Sequence, residues 1–201
     1  MLLLTAEAVS QPGMAVELRD YFAVQARPVV MRWHGGGPMP TNLQRVAEAG
    51  SWIRVERRDQ PGSPLQLSLH GTFPHGPTEW YGPIEARQLE PLVEILRALG
   101  TGQPELDTPA TASLLAELGG RASLDVYVSA RCPYCPAVAA ACLRFAVVSP
   151  LVSVRVRRAD VLEAPPAVRS VPTVMLGDMV LGQGSLGEYA LAERLTRSQK
   201  R

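Results

Sequence analysis

Lysine is nearly absent from this chain of 201 residues: of its 20 basic residues only Lys200 is a lysine, and 19 acidic residues leave a formal net charge of +1. No field of one sign is available to gather nucleic acid or an anionic membrane, so neither is expected as a partner. The preference for Arg, Ala, Leu, Gly and Pro reads as a GC-rich coding bias and carries no chemistry. No stretch approaches the ~20 apolar residues that a membrane span requires. The opening Met1-Leu2-Leu3-Leu4 is interrupted at Glu7, without a basic n-region or a long apolar run, so a secretory signal is not expected and the cytoplasm is the expected location. Cysteine is scarce as well. There are three, two of them in one C-x-x-C, which excludes a disulfide-stapled scaffold and fits a reducing compartment where cysteine is kept for reactivity.

What is present is a pattern that occurs twice. Apolar spacing predicts a helix from Gly13 to Gln25, and Pro28 to Trp33 reads as a strand. Thr41 is placed to cap a helix through Ala49, and Trp52 to Arg57 and Leu65 to Leu69 alternate as strands. Glu79-Trp80-Tyr81 and a helix from about Gln88 to Leu99, with Pro91 in its first turn and Gly100 ending it, complete the first set. A polar connector, Gly100 to Asp107, leads to a helix from Thr108 to Leu118 closed by Gly119-Gly120. Leu124 to Val128 is a strand that hands over to a helix running to about Val147. Val152 to Val156 and Val171 to Leu176 are strands, Gly177-Asp178 turns into Met179-Val180-Leu181, and Ser185 is placed to cap a last helix through about Arg197. Tyr81-Gly82 answers Leu181-Gly182 about one hundred residues later, as expected of an internal repeat. The length allows two small domains, and the expected division is residues 1–105 and 106–201.

The chemistry concentrates in Cys132-Pro133-Tyr134-Cys135, at the junction of a strand and a helix. A cysteine at a helix N-terminus faces unpaired backbone N–H groups and the positive end of the helix dipole, which stabilise thiolate over thiol. Thiols of such motifs ionise at roughly 3.5–7.5 instead of ~8.5, and Arg131 acts in the same direction. Cys135, Val138, Cys142 and Phe145 fall on one helical stripe assigned to the core, whereas Cys132 precedes it. Cys132 is therefore the expected nucleophile and Cys135 the sheltered resolving thiol. The expected cycle is attack by Cys132 on a target disulfide, then release of the reduced target by Cys135.

Zinc is the competing use of such a pair. It needs four ligands, and Cys142, His34, His70 and His75 show no matching spacing. Cys142 lies two helical turns from Cys135, at ~10 Å, too far for a disulfide within one helix, and reads as a small buried hydrophobe. A C-x-x-C of this kind marks a thioredoxin-like fold, in which a cis proline stands opposite the cysteines; Val171-Pro172-Thr173 is placed to supply it. Without an N–H, Pro172 cannot pair with the sheet, leaving the Val171 backbone to pair with an extended substrate. The candidate catalytic residues are Cys132, Cys135 and Pro172, and the candidate substrate contacts are Pro133, Tyr134, Val171 and Thr173. No metal is expected, and no bound cofactor beyond the redox-active disulfide itself.

Three further features are set aside. His34-Gly35-Gly36-Gly37 has the form of an esterase oxyanion loop, but no Gly-x-Ser-x-Gly exists, so a flexible loop is expected. His70 and His75, in a Gly/Pro-rich stretch, are expected to be solvated. Arg155, Arg157 and Arg158 lack interleaved aromatics and are expected to form a solvated face.

Taken together, these residues resemble the tandem thioredoxin-fold unit that forms the N-terminal domain of the flavoprotein subunit of alkyl hydroperoxide reductase. The sequence is similar also to the two-domain, glutaredoxin-like protein disulfide oxidoreductases of thermophiles. The likeness shows in Leu18-Arg19-Asp20-Tyr21, Pro28-Val29, Trp80-Tyr81-Gly82-Pro83, Cys132 to Val138, Val171-Pro172 and Leu181-Gly182-Gln183-Gly184, with Ser170 where the family has a glycine. The resemblance implies an α/β fold of two fused thioredoxin-like units, a mixed central sheet flanked by helices. It implies electron transfer through one cysteine pair to a partner disulfide such as that of a peroxiredoxin, in the service of cell redox homeostasis. The flavin and nicotinamide modules are absent from the chain, so a separate thioredoxin-reductase-like flavoprotein is the implied donor. The first half has Gly35-Gly36-Gly37 where a first cysteine motif would stand and is expected to be redox-silent. Where the family has a glutamate near the cysteine pair this chain has Gln88, with Glu85 and Glu90 nearby, so Gln88 and Glu85 are the implied proton-transfer neighbours. Two other functions stay open: a glutathione-dependent glutaredoxin, since Cys-Pro-Tyr-Cys is usual there and Ser185 at a helix start would bind a carboxylate, and a non-catalytic redox-sensing or adaptor module.

Overall fold

The computed structural model describes residues 12–60 and 62–200. The first half comprises α1 (Pro12–Phe22), β1 (Val29–Trp33), α2 (Thr41–Ala49), β2 (Ile53–Arg57), β3 (Leu65–His70), β4 (Thr78–Tyr81), a 3-10 turn (Ala86–Gln88) and α3 (Leu89–Thr101). The second repeats the order with α4 (Pro109–Ala116), β5 (Ala122–Val128), α5 (Cys135–Val148), β6 (Val152–Arg158), β7 (Thr173–Leu176), β8 (Met179–Gln183) and α6 (Glu188–Gln199). The repeat expected from the sequence is thus present element for element.

All eight strands join one sheet in the order β2-β1-β3-β4-β6-β5-β7-β8. Each half contributes a parallel pair (β1 with β2, β5 with β6) followed by two antiparallel neighbours. The halves meet where β4 runs parallel to β6, with Thr78 beside Val154 and Trp80 beside Val156. Alternation dictates one covered face. In β6, Val152, Val154 and Val156 are buried while Ser153, Arg155 and Arg157 are half-buried on the other side. A fully buried valine contributes about 1.5–3 kcal/mol relative to an exposed one, so this register resists a one-residue slip.

Helix α5 is apolar nearly all round, as a helix buried on every side must be. Its small residues Ala139, Ala140 and Ala141 are buried, and it packs against both α3 of the first half and α6. Its one charge, Arg144, pairs with Glu188 of α6 (2.6 Å), with Glu94 of α3 (2.5 Å) and with Asp107 (3.3 Å). At Gly76, a Cβ would meet the Val152 carbonyl oxygen at 1.5 Å, and the Gly76 N–H donates to Ala146 O at 2.8 Å. Only glycine lets this loop run so close to the second half.

Several local expectations are corrected. Helix α3 passes through Gly100, which is buried where a Cβ would meet the Trp52 ring at 2.9 Å; the helix ends instead at Gly102, left-handed at φ 72°. Thr41 is the first helical residue and caps nothing, and Ser185 is exposed and not a cap, because α6 begins at Glu188 behind Gly187. Thr108 does cap α4, accepting from Ala110 N. The glycine loop is tied down: Trp33 Nε1 and Arg57 both donate to Gly37 O. His70 is a strand residue that accepts from Arg32 (3.1 Å) and lies 3.0 Å from Ser68 Oγ, which also bonds His34 Nε2 at 2.9 Å. His75 accepts from Gly71 N at 2.8 Å. Burial, reinforced by Arg32, depresses the proton affinity of His34 and His70. The arginines form no solvated face: Arg155 and Arg157 pair with Asp125, Arg157 also lies 4.9 Å from the Tyr81 ring centre, and Arg158 is buried.

Candidate active site

Strand β5 ends at Val128 and the chain turns through Ser129, Ala130 and Arg131 into the cysteines. Cys132 and Cys135 are joined in a disulfide with their Cα atoms 5.4 Å apart. The helix starts at Cys135, so Cys132 stands three residues before it and its Sγ accepts the Cys135 N–H at 3.1 Å. That N–H is one of the unpaired donors of the first helical turn, aimed at the sulfur expected to ionise. Cys132 is 8% exposed and Cys135 0%. An attacking sulfur can reach Cys132 and not Cys135.

Opposite the pair, the Val171–Pro172 peptide is cis and the Val171 carbonyl oxygen lies 3.7 Å from Cys132 Sγ. Pro172 is buried, with its carbonyl accepting Gly184 N at 2.8 Å, and Val171 is half-buried. Pro133 and Tyr134 stand exposed on the rim, Tyr134 at 59%. Cys132, Cys135, Val171 and Pro172 are therefore brought together with Pro133 and Tyr134 beside them. Thr173 is different: its side chain is fully buried and donates to Ser170 O at 2.6 Å, so it shapes the turn before β7 and offers no side-chain surface.

The two proton-transfer neighbours lie apart. Glu85 accepts from Arg158 (3.1 Å), while Gln88 is buried below the motif, where its Nε2 donates to Ser129 O at 3.1 Å. The same carbonyl accepts Cys132 N at 3.4 Å. An amide cannot take up a proton at neutral pH, so Gln88 is no base. Arg158 escapes a reading of the sequence as a site residue because it closes an alternating strand. It holds Asp160 with two bonds at 2.8 and 3.0 Å and Pro83 O at 2.6 Å, and Asp160 accepts Ala130 N at 3.2 Å. Hydrogen bonding to Arg158 holds the Asp160 carboxyl below its usual range. Pro83, Glu85, Arg158 and Asp160 thereby clamp the turn that carries the cysteines. No signal short of the strand pairing shows this, since Glu85 and Arg158 are far apart in sequence.

Cys142 lies in α5, free and fully buried, its thiol pushed up to about 12 by burial. Among the described residues no cluster of three or more His, Cys, Asp or Glu could hold a metal. No described helix is long and apolar enough to cross a membrane.

The backbone resembles that of the alkylhydroperoxide reductase protein AhpF of Enterococcus faecalis with a TM-score of 0.77, covering 92% of this chain and 98% of that one at 17% identity. The NTD_N/C domain of the same protein superposes at 0.76 with 18% identity, over 92% and 99% of the two chains. A protein disulfide oxidoreductase from Aeropyrum pernix superposes at 0.75 over 94% of each chain, with 17% identity. The fold is a pair of fused thioredoxin-like units. Sequence similarity does not reach further: no protein-family model matches, and no curated protein sequence does.

Proposed function

We propose that this chain is a thiol-disulfide oxidoreductase that reduces disulfides of partner proteins through Cys132 and Cys135. The observation that carries the reading is the disulfide between them, with the reachable sulfur of Cys132 under the first helical N–H and the other sulfur sealed beneath it. In the dithiol form, the Cys132 thiolate attacks one sulfur of the target disulfide, forming a Cys132–target bond and expelling the other target sulfur as a thiolate. Cys135 then loses its proton and attacks Cys132 Sγ, which closes the protein disulfide and expels the second target thiolate. Two electrons pass from the protein to the target, and the Cys135 proton ends on a departing target thiolate. Backbone recognition at Val171, beside Cys132 Sγ, suits an extended target segment more than any one sequence.

Only the second half carries cysteines, so the first half is redox-silent in this reading and its contribution is the clamp through Pro83 and Glu85. A peroxiredoxin is the proposed acceptor class and a thioredoxin-reductase-like flavoprotein the proposed donor, both following from the resemblance of the sequence. Glutathione is the alternative electron source; the buried Glu188 at the start of α6 is bonded to Arg144 and to Asp107 N and caps no first-turn N–H of that helix. A coupled insulin-reduction assay tests the reading. Turnover with a thioredoxin reductase and NADPH, abolished by Cys132→Ser, supports it; turnover with glutathione and its reductase alone would transfer the protein to the glutaredoxins. Absence of turnover from either donor would favour a sensor or adaptor.

A further inference from the structure

Gln88 is 1% exposed, and its amide oxygen is buried without a hydrogen-bond partner. A buried, unpaired acceptor is uncommon and costs free energy, so its neighbourhood asks for a donor. The orientation of the amide is fixed by chemistry. Ser129 O can only accept, so the NH2 group must face it, as it does at 3.1 Å, and Oε1 must point elsewhere. The turn that holds Gln88 lies against α5, whose first residue is Cys135, and Ser129 O takes the Gln88 amide and the Cys132 N–H together. A disulfide carries no proton and can donate nothing. The Cys135 N–H is already engaged with Cys132 Sγ. Reduction changes this inventory, because Cys135, the first residue of the helix that the Gln88 turn packs against, then becomes a sealed S–H.

We propose that the Gln88 amide oxygen accepts the Cys135 S–H hydrogen bond in the dithiol form, so that Gln88 favours the reduced pair over the disulfide. The inference rests on the reading that the pair cycles. Reducing the disulfide adds two electrons; Cys132 is left as thiolate and one proton goes to Cys135. No proton passes through Gln88, which only holds the thiol until the resolving step. On oxidation by a target, that proton leaves with the target thiolate, and Gln88 Oε1 is orphaned again. A carboxylate at this place would take the proton itself. The amide therefore uncouples the oxidation state of the pair from a second titrating group.

The test equilibrates wild type, Gln88→Met and Gln88→Glu with glutathione buffers from pH 5 to 9 and reads the oxidised fraction and the infrared S–H stretching band. Gln88→Met fills the site without an acceptor. It is expected to move the equilibrium about tenfold toward the disulfide, about 30 mV for a two-electron couple. The Cys135 S–H band should shift in that variant while the Cys142 band stays. Gln88→Glu restores an acceptor and is expected to add a proton-linked step to the pH profile that wild type lacks. An equilibrium within about twofold of wild type and an unmoved S–H band in Gln88→Met, or a Gln88→Glu profile parallel to wild type, overturns the proposal. Should the wild-type pair fail to cycle in these buffers, the dithiol reading falls and this inference with it. Cycling without the shift refutes Gln88 alone.

Discussion

Removing Arg158 should loosen the turn before the cysteines and cost more than any surface substitution. The residue is 3% exposed at the end of β6, and its guanidinium spans Asp160 (2.8 and 3.0 Å), Pro83 O (2.6 Å) and Glu85 (3.1 Å). Asp160 and Glu85 side chains are 36% and 55% exposed, so water screens both pairs; each contributes at most about 1 kcal/mol. Leaving Pro83 O unpaired costs about 1 kcal/mol. The buried stem adds about 2 kcal/mol at ~0.8 per methylene. Arg158→Ala is expected to lose about 3–4 kcal/mol in urea unfolding at unchanged m, whereas Arg158→Met keeps the stem and loses about half of that. The local readout is amide exchange. With Asp160 released, exchange at Ala130 through Cys132 should speed up while the α6 amides keep their protection. An Arg158→Ala loss within about 0.5 kcal/mol of wild type, the range of ordinary surface changes, would refute the clamp.

Other consequences are as direct. Cys135→Ala should trap a mixed disulfide between Cys132 and a model substrate, visible as one added mass that dithiothreitol removes. Iodoacetamide should alkylate only Cys132 in the reduced native protein, Cys135 and Cys142 reacting only after denaturation, since both are fully buried and burial pushes the Cys142 thiol up to about 12. Gly76→Ala drives a Cβ into the Val152 carbonyl and should cost about 1–3 kcal/mol as overpacking, measured by thermal or urea melting. Stability should fall on acidification in two windows. Below about pH 6.5 the unfolded chain binds protons that the buried His34 and half-buried His70 refuse, so stability drops until their depressed values are passed, and His34→Gln should flatten this limb. The Asp160 contribution is complete above about 3.9 and disappears as pH falls through its lower folded value; Asp160→Asn should remove that step.

The periodic parts of this protein were readable in its sequence, and the parts set by long-range pairing were not. The helix and strand order, the cysteine turn, the burial of Cys142 and the place of Pro172 follow from spacing and local chemistry. Caps were less legible. Ser185 and Thr41 are good capping types, but α6 is started by the buried Glu188 that Arg144 holds, and Pro40 precedes Thr41, so tertiary and backbone constraints outweigh type. Gly100 reads locally as a stop, yet the Trp52 ring needs a residue without a Cβ inside α3. The arginines of β6 read as solvated until β4 and β5 lie beside them, bringing Tyr81 and Asp125 into reach. The bonds of Arg158 to Pro83 and Glu85 form only when residues 83–88 are packed against the second half, whereas Gln88 is singled out in the sequence by the resemblance alone.

The reduction potential of the Cys132–Cys135 pair tests the central claim most directly, because its difference from the potential of a partner disulfide sets the direction of electron flow. A reversible two-electron couple at roughly −270 mV, absent in Cys132→Ser, is the result expected of a reductase. A value of roughly −120 mV, the range of strong oxidants, or no reversible couple at all, would contradict the account.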